Sequence, residues 1–402
     1  MKSIGIVCEY NPFHKGHEYH IAQSRENLDT DAAVVCVMSG DFVQRGEAAM
    51  FSKYARAEAA CRSGADLVIE LPLPWCLSSA EGFARGAVGL LGALGVDYIS
   101  FGSEAGELEP LQAAAELLCR EGFTEQVKAL MAADGSLSFA RARQLAAEKT
   151  LGEGANVLER PNNILAIEYL KAINTLGLSM QPYTVLRSGS GHDKADGEQP
   201  SAMELRKRLR RGESIDAFLP KSAAEVFRRE TEFGRIHSET ELFDAALLSR
   251  LRMLEKDNFL SLPDSADGAG ARLYAAAKRE PTVDGVLAAA KTKRFALSRL
   301  RRMLLCACLG VSAGMGEGIP PYARVLAASR KGCELLREMS GKTAVPVLTK
   351  PASVRELDGR CNQVFAVSAS AHDLFVLGFT AEQTRSGGED WKKSPFIVDN
   401  HQ

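Results

Sequence analysis

Two histidines near the start of the chain are the residues whose type and spacing are best suited to chemistry. His14 and His17 enclose Gly16 in an H-x-G-H pattern, between a predicted strand at Ser3–Cys8 and a predicted helix at Gly16–Glu26. Three positions apart, both imidazoles can face the start of that helix, where unpaired N–H groups and a partial positive charge attract phosphate. We therefore predict a phosphate cradle, in which an imidazolium would stabilise the charge that builds up as pyrophosphate leaves.

The surroundings of the two histidines fit such a cradle, although two other interpretations stay open. An Asn-Pro turn precedes them, Gly16 lets a ligand approach the backbone, and His20 lies one helical turn further along a similar face. The histidines could instead cap a helix or a surface turn, or bind zinc, for which only Glu9 or Glu18 is at hand as a further ligand. Their position after the first strand of an α/β sheet favours nucleotide binding.

The elements that position this segment alternate between short apolar strands and helices. Near-continuous runs of Val, Ile and Leu are typical of strands buried on both faces, so we predict an α/β fold with an N-terminal doubly wound parallel sheet. Residues 110–150 are predicted to form a helical insertion. The predicted strands are Ser3–Cys8, Ala32–Met38, Leu67–Leu71, Asp97–Phe101 and Gln181–Leu186, and the predicted helices are Gly16–Glu26, Ser52–Ser63, Ser79–Leu94 and Ile164–Asn174.

The second half of the chain is predicted to be mainly helical. Helical patterns dominate residues 215–336, and only Ala344–Thr349 and Gln363–Val367 resemble short strands. Because 402 residues exceed what one compact core usually holds, we predict two domains, 1–212 and 213–402.

Composition is typical of an ordinary soluble protein. With 46% hydrophobic and 25% charged residues the chain is neither collagen-like nor disordered, and no apolar stretch approaches the roughly 20 residues that span a bilayer. Nine scattered cysteines without a CxxC pair are typical of buried thiols in a reducing cytosol, so Cys8 and Cys36 are predicted to be core thiols. The formal net charge of -2 does not by itself indicate a nucleic-acid partner.

The run from Glu9 to His20, E-Y-N-P-F-H-x-G-H-x-Y-H, resembles the N-terminal motif of the HIGH-type nucleotidyltransferase superfamily. More narrowly, the chain is similar to the tRNA(Met) cytidine acetate ligase family. It departs from that family at Lys15, where Asn is frequent, and at Ala48, where Pro is frequent. The resemblance extends through Ser39–Glu47, Gly64–Pro72, Phe101–Glu104, Pro161–Leu165 and, more loosely, Thr292–Phe295 and Ser298–Arg302.

This resemblance implies a reaction and the residues that perform it. Acetate and ATP, the latter with Mg²⁺, would give acetyl-adenylate and pyrophosphate, and the acetyl group would pass to N4 of the wobble cytidine of elongator tRNA(Met). The catalytic residues would be His14 and His17, and the protein would bind no metal of its own. It would act in the cytoplasm, without a membrane partner. The implied ATP contacts are Val7, Cys8, Glu9, Tyr10, Asn11, Pro12, Phe13, His14, Lys15, Gly16, His17, Glu18, Tyr19, His20, Gly102, Asn162, Asn163, Arg187 and Ser188.

Several of these contacts also have structural interpretations. Gly102 could be an ordinary glycine in the turn after the fourth strand, and Arg187 could form a surface salt bridge. Either Asn162 or Asn163 could be a helix N-cap, and spacing does not say which of them contacts ATP.

Although the whole chain is nearly neutral, it contains two runs in which basic residues are concentrated. Residues 201–211 hold five basic residues against one acid, and residues 291–302 hold six against none. On helices such runs form one-sided basic faces that attract RNA phosphates, with Phe295 available for base stacking, although solvated helix faces are the common alternative. The start of the first run, Ser201 to Arg206, also resembles the second phosphate motif of the superfamily. The predicted tRNA contacts are Lys293, Arg294, Arg299, Arg301 and Arg302.

Polar residues after the second strand complete the candidate set. Asp41, Gln44 and Arg45 could line the acetate or the RNA side of the site, whereas Lys53 and Arg56 are predicted to be solvated helix residues. Two rival functions remain, a nucleotidyltransferase with a small-molecule product and a nucleotide- or RNA-binding protein without chemistry. The additional helical half argues against the first, and the intact H-x-G-H pattern argues against the second.

Overall fold

The computed structural model describes residues 1–187, 200–238 and 240–398. Its strands are β1 Ser3–Cys8, β2 Ala33–Ser39, β3 Phe42–Val43, β4 Glu47–Ala48, β5 Leu67–Leu71, β6 Tyr98–Ser103, β7 Gln181–Leu186, β8 Ala323–Ala328, β9 Val347–Leu348 and β10 Phe396–Ile397. No helix in these ranges has both the length and the apolar character needed to cross a membrane.

Helices cover both faces of the sheet and form most of the second half. They are α1 Lys15–Leu28, α2 Lys53–Arg62, α3 Leu73–Cys76, α4 Ala80–Ala93, α5 Leu108–Cys119, α6 Phe123–Ala133, α7 Phe139–Leu151, α8 Pro161–Leu176, α9 Ala202–Arg210, α10 Lys221–Glu232, α11 Glu241–Met253, α12 Lys256–Leu260, α13 Ala269–Arg279, α14 Val283–Ala290, α15 Leu297–Leu309, α16 Arg330–Met339 and α17 Gly359–Val376. Short 3-10 helices lie at Gly152–Glu159, Asp216–Phe218, Pro351–Glu356, Glu382–Thr384 and Glu389–Trp391.

The order of the main sheet explains where a ligand can bind. Its neighbours run β10-β8-β5-β2-β1-β6-β7, with β9 pairing with β8. The five strands β5, β2, β1, β6 and β7 pair in parallel, and β5 pairs antiparallel with β8. The chain moves outward from β1 to β5 and then crosses back to β6, so the strand order reverses between β1 and β6. Ligands of doubly wound sheets bind beyond the carboxyl ends of the strands at this switch point.

The predicted fold class is confirmed, and three of the predicted strands have the same bounds as β1, β5 and β7. Strand β2 is buried along its whole length, as its apolar run predicts. The insertion predicted at 110–150 is helical and corresponds to α5, α6 and α7.

Two sequence predictions in the second half are wrong. Helical patterns were expected through residue 336, yet Ala323–Ala328 is the buried strand β8. Its alanines and Arg324 lack the β-branched run that marks a strand, and only pairing with β5 makes it one. The strand expected at Gln363–Val367 lies inside α17, because a short apolar run does not distinguish a strand from a buried helical turn.

Strands from beyond residue 212 also complete the sheet of the first half. Both β8 and β10 belong to it, and β9 pairs with the outer edge of β8. A separate apolar core joins α11, α13, α14 and α15 through residues such as Leu273 and Leu300. The boundary predicted between domains 1–212 and 213–402 stays a prediction.

Candidate functional site

The two histidines of the H-x-G-H pattern lie where the strand order reverses, at the start of α1. His14 is the N-cap of α1, and its Nδ1 accepts the backbone N–H of Gly16 at 3.0 Å. Nδ1 of His17 accepts the backbone N–H of His14 at 3.2 Å, and the two rings stack with centroids 3.8 Å apart. Because both Nδ1 atoms accept, a neutral ring holds its proton on Nε2, which leaves each histidine a donor for a phosphoryl oxygen.

Burial keeps both rings uncharged at neutral pH. Burial, and after it the charge of Arg187, lowers the pKa of His14 to about 4. Burial, followed by the neighbouring His14, lowers the pKa of His17 well below its usual range. The predicted imidazolium is therefore corrected to a pair of neutral N–H donors, since desolvation disfavours the charged ring.

Stability should respond to these buried histidines as the pH falls. His14 and His20 each have a pKa of about 4 in the folded chain, against about 6.5 when unfolded. The unfolded chain therefore binds protons first, and stability that is complete above about pH 6.5 is lost as the pH falls toward about 4. We expect the urea midpoint to be lower at about pH 5 than at about pH 7.5, and His20→Gln to reduce that difference. A difference between the two pH values that is unchanged in His20→Gln would contradict the assignment.

Of the remaining predicted ATP contacts on α1, one side chain bonds to β6 and three are exposed to solvent. Nε2 of His20 bonds with Oγ of Ser100 at 2.9 Å, so this histidine braces α1 against β6. Lys15 is exposed and donates to the carbonyl of Ala217 at 2.8 Å. Glu18 and Tyr19 are also exposed.

The segment between β1 and α1 is held by its own aromatic packing and by hydrogen bonds from residues that follow β2. Val7 and Cys8 end β1 half-buried, and the buried Tyr10 and Phe13 pack around the ring of His17. A cis peptide bond joins Asn11 to Pro12. Oε1 of Glu9 accepts the backbone N–H of Gln44 at 2.9 Å, and Oδ1 of Asn11 accepts that of Met50 at 2.9 Å.

Asparagines at the start of α8 are hydrogen-bonded to Glu104, which directly follows β6. Asn163 is buried, and its Oδ1 accepts the backbone N–H groups of Glu104 and Ala105 at 2.9 and 3.1 Å. Asn162 is half-buried and donates from Nδ2 to Oε1 of Glu104 at 2.6 Å. The N-cap of α8 is Arg160, so neither asparagine is the cap that the sequence allowed. Glu104 therefore joins the start of α8 to the end of β6, and the sequence did not single it out.

Arg187 faces the histidine cradle from the end of β7. Its side chain pairs with no carboxylate of the described residues, and its charge contributes to the lowered pKa of both His14 and His17. Gly102 lies within β6 and not in a turn after it, and a Cβ there would be 3.0 Å from Cγ of Arg187. The absence of a side chain at Gly102 therefore leaves room for the side chain of Arg187. Ser188, the last predicted ATP contact, lies outside the described residues.

Lys53 and Arg56 are buried and not solvated, which corrects the prediction. Arg56 donates to the backbone carbonyls of Glu9, Ser39 and Gly40, and so joins the ends of β1 and β2 beside the site. The predicted solvated face was wrong because α2 packs between the sheet and α10, with nearly all its residues buried.

Lys53 instead belongs to a buried ion network with the C-terminal segment. Its Nζ lies 2.6 Å from Asp390 and 2.7 Å from Glu70, and Arg324 approaches Asp390 at 2.8 Å. Although burial opposes ionisation, Lys53 and Arg324 hold the pKa of Asp390 well below its usual range.

Of the two cysteines predicted to be core thiols, Cys36 is fully buried and Cys8 is half-buried. Burial raises the pKa of Cys8 well above its usual range. Among the described residues no group of three or more His, Cys, Asp or Glu side chains is arranged to bind a metal ion.

The two basic runs lie on α9 and around α15, and many of their cations have internal partners. Arg299 donates to the carbonyl of Asp264 at 2.9 Å, Arg302 pairs with the Asp264 carboxylate at 3.1 Å, and Arg301 pairs with Glu47. Lys293 and Arg294 are exposed.

The stacking role expected of Phe295 and the phosphate motif expected at the start of the first run have different outcomes. Phe295 is only 5% exposed, and Arg299 covers its ring, so it is not the stacking platform that the sequence suggested. Arg206 of α9 donates to the carbonyl of Asn11 at 2.9 Å, which brings the segment that resembles the second phosphate motif to the histidine loop.

A doubly wound sheet with a two-histidine cradle at its switch point defines the class of HIGH-type nucleotidyltransferases. The family described as HIGH Nucleotidyl Transferase matches residues 1–390. The tRNA(Met) cytidine acetate ligase of Thermoanaerobacter sp. (strain X514) is 36% identical over 388 residues, which cover 94% of this chain and 96% of that protein. That of Syntrophotalea carbinolica is 39% identical over 359 residues, covering 87% and 85%.

Solved structures agree with these relatives. Thermotoga maritima TmcAL bound with alpha-thio ATP superposes with a TM-score of 0.90 at 32% identity, covering 99% of both chains. The apo form of the Thermotoga maritima protein gives 0.92 at 31% identity, covering 99% of this chain and 100% of that one. The chain therefore belongs to the HIGH nucleotidyltransferases and, within them, to the tRNA(Met) cytidine acetate ligase family.

Proposed function

We propose that this protein is an ATP-dependent ligase that activates acetate and transfers the acetyl group to N4 of the wobble cytidine of elongator tRNA(Met) in the cytosol. The observation that supports this most is the pair of neutral Nε2–H donors of His14 and His17 at the switch point of the sheet. Membership of the family and the end-to-end likeness to a protein bound with an ATP analogue support it further.

The first step joins two negatively charged reactants. A carboxylate oxygen of acetate forms a bond to the α-phosphorus of ATP, and the bond from that phosphorus to the pyrophosphate oxygen breaks. His14 and His17 donate from Nε2 to the phosphoryl oxygens, the partial positive charge at the start of α1 favours the same anion, and Arg187 adds a positive charge. Mg²⁺ enters with ATP as part of the substrate. Orientation and charge stabilisation are sufficient for this step, without a covalent protein intermediate.

The second step consumes the acetyl-adenylate. The exocyclic N4 of cytidine attacks the acetyl carbonyl carbon, the bond from that carbon to the adenylate oxygen breaks, and N4 loses a proton as AMP leaves. The base must therefore reach the same edge of the sheet at which the adenylate was made.

We assign ATP contacts to the residues around this edge. They include the β1–α1 segment, Gly102 and Arg187. Of the two asparagines, Asn162 is the better candidate, because Asn163 is buried and its amide oxygen is occupied by two backbone N–H groups. Exposed Lys293 and Arg294 are the tRNA candidates of their run, since Arg299, Arg301 and Arg302 already have internal partners.

One incubation tests the proposed function. The protein is mixed with MgATP, radiolabelled acetate and unmodified elongator tRNA(Met), and we expect label in cytidine and release of pyrophosphate. A tRNA whose wobble position holds uridine is the matched control and should take up no label. Pyrophosphate release with another acid and no labelled RNA would favour the small-molecule nucleotidyltransferase instead.

A further inference from the structure

The β3–β4 hairpin joins the histidine loop to the helical half of the chain. Its turn is closed by a hydrogen bond from the N–H of Gly46 to the carbonyl of Val43 at 2.9 Å, and Gly46 has φ 75°. A Cβ on Gly46 would lie 2.6 Å from the backbone nitrogen of Arg302, so the turn packs directly against α15. Glu47 of the same hairpin pairs with Arg301.

The other side of this hairpin contacts the proposed catalytic segment. The N–H of Gln44 donates to Oε1 of Glu9 at 2.9 Å, and the side chain of Gln44 donates to the carbonyl of Ser78 at 3.1 Å. Arg206 of α9 reaches the same segment through the carbonyl of Asn11. One cation of each basic run therefore lies near the hairpin, because Glu47 pairs with Arg301 and its charge also acts on Arg206.

Arg45, at the turn of the hairpin, differs from the cations around it. It is exposed, and no carboxylate of the described residues pairs with it, whereas Arg301 has Glu47. Its charge acts on the site, because burial raises the pKa of Glu9 while Arg206, Arg56 and Arg45 oppose that rise. An exposed arginine fork beside the site is suited to a phosphate.

We propose that Arg45 binds a backbone phosphate of single-stranded RNA beside the cytidine that receives the acetyl group. This rests on the proposed function, in which N4 must reach the switch point between β1 and β6. The phosphates that flank a base placed there lie at the rim, where the hairpin turn presents Arg45. Proteins commonly recognise single-stranded RNA loops by splaying out bases, which leaves the loop phosphates for such contacts.

The test separates RNA binding from acetate activation. Arg45→Ala should weaken the binding of unmodified tRNA(Met) about tenfold and reduce the slope of log K against log salt by about 0.7, the value for one phosphate contact on a single strand. Acetate-dependent exchange of pyrophosphate into ATP should stay within about twofold of the wild-type rate, since it involves no RNA. Arg45→Lys, which keeps the charge but not the fork, should lose less affinity.

Arg120→Ala is the matched control. Arg120 is also exposed, but it lies at the far end of α5, a 12-residue helix that begins after β6 and is about 18 Å long at 1.5 Å per residue. Its tRNA affinity should equal that of the wild type.

Two results would overturn the role of Arg45. Unchanged tRNA affinity in Arg45→Ala means that the hairpin does not hold RNA, and a loss of pyrophosphate exchange in that variant assigns Arg45 to the acetate side. Because tRNA affinity is measured without turnover, failure of the wild-type protein to acetylate tRNA would count against the proposed function and not against this contact.

Discussion

Replacing His17 with alanine should lower the rate of acetate-dependent ATP–pyrophosphate exchange about 10²–10³-fold, the loss found when one preorganised donor to a developing negative charge is removed. Nε2 of His17 is an N–H donor because its Nδ1 accepts the backbone N–H of His14. Affinity for unmodified tRNA(Met) should be retained, since the ring lies under Tyr10 and Phe13 and not on an RNA-facing surface. Filter binding and exchange assays measure the two quantities separately.

Three controls make the His17→Ala result specific. Glu26→Ala alters an exposed residue on the same helix and should leave exchange unchanged. His14→Ala should show a similar loss of exchange but also reduce stability by about 1 kcal/mol, because it removes the N-cap of α1. The exchange rate should also be nearly constant from about pH 6 to about pH 8, because neither ring titrates in that range. Loss of tRNA affinity in His17→Ala, with exchange preserved, would assign this histidine to RNA.

Replacing Asp390 with alanine should lower the free energy of unfolding by about 3–5 kcal/mol, the cost of leaving buried charges without their partner. Asp390 is fully buried, and it receives Lys53 at 2.6 Å, Arg324 at 2.8 Å and the hydroxyl of Tyr54 at 2.6 Å. Its removal leaves Glu70 between the two buried cations, with Asp41 at 4.0 Å from Lys53 as the other nearby carboxylate. Urea denaturation followed by circular dichroism measures the loss.

Glu382→Ala provides the comparison for Asp390→Ala. Glu382 is an exposed acid of the same C-terminal segment, so its removal should change stability by no more than about 0.5 kcal/mol. Equal stability of the two variants would mean that water reaches the network and compensates both cations. A further variant, Lys53→Met with Asp390→Leu, should recover part of the loss, because removing both charges leaves fewer buried ions unpaired.

The local sequence was sufficient to predict the catalytic elements. Strand β1, the H-x-G-H turn and α1 follow one another within 26 residues, so apolar runs, Gly16 and the helix start already indicate the cradle. Its histidines were predicted to be charged, however, and burial reverses that. A sequence shows the order of neighbours along the chain, whereas a pKa depends on how completely water is removed.

The basic runs also show what the sequence predicts and what only the folded chain decides, here for residues far apart in the chain. Counting charges identified residues 201–211 and 291–302 as candidate RNA surfaces. Only the folded chain shows that Arg301 pairs with Glu47 and Arg302 with Asp264, and that Arg45 of the same hairpin as Glu47 remains exposed. Ion pairs join residues that are 38 to 254 positions apart, and no short-range pattern encodes such pairings.

By itself the sequence determined the doubly wound class, the first turn with its two histidines, and the family. Those features depend on local apolar periodicity, on turn chemistry and on the order of adjacent residues. The tertiary structure decided that β8 joins the sheet, that Lys53 and Arg56 are buried, and that Asp390 closes an ion network with Lys53, 337 positions away. Burial and pairing of charges are properties of packing, because they depend on which distant segments exclude water from one another.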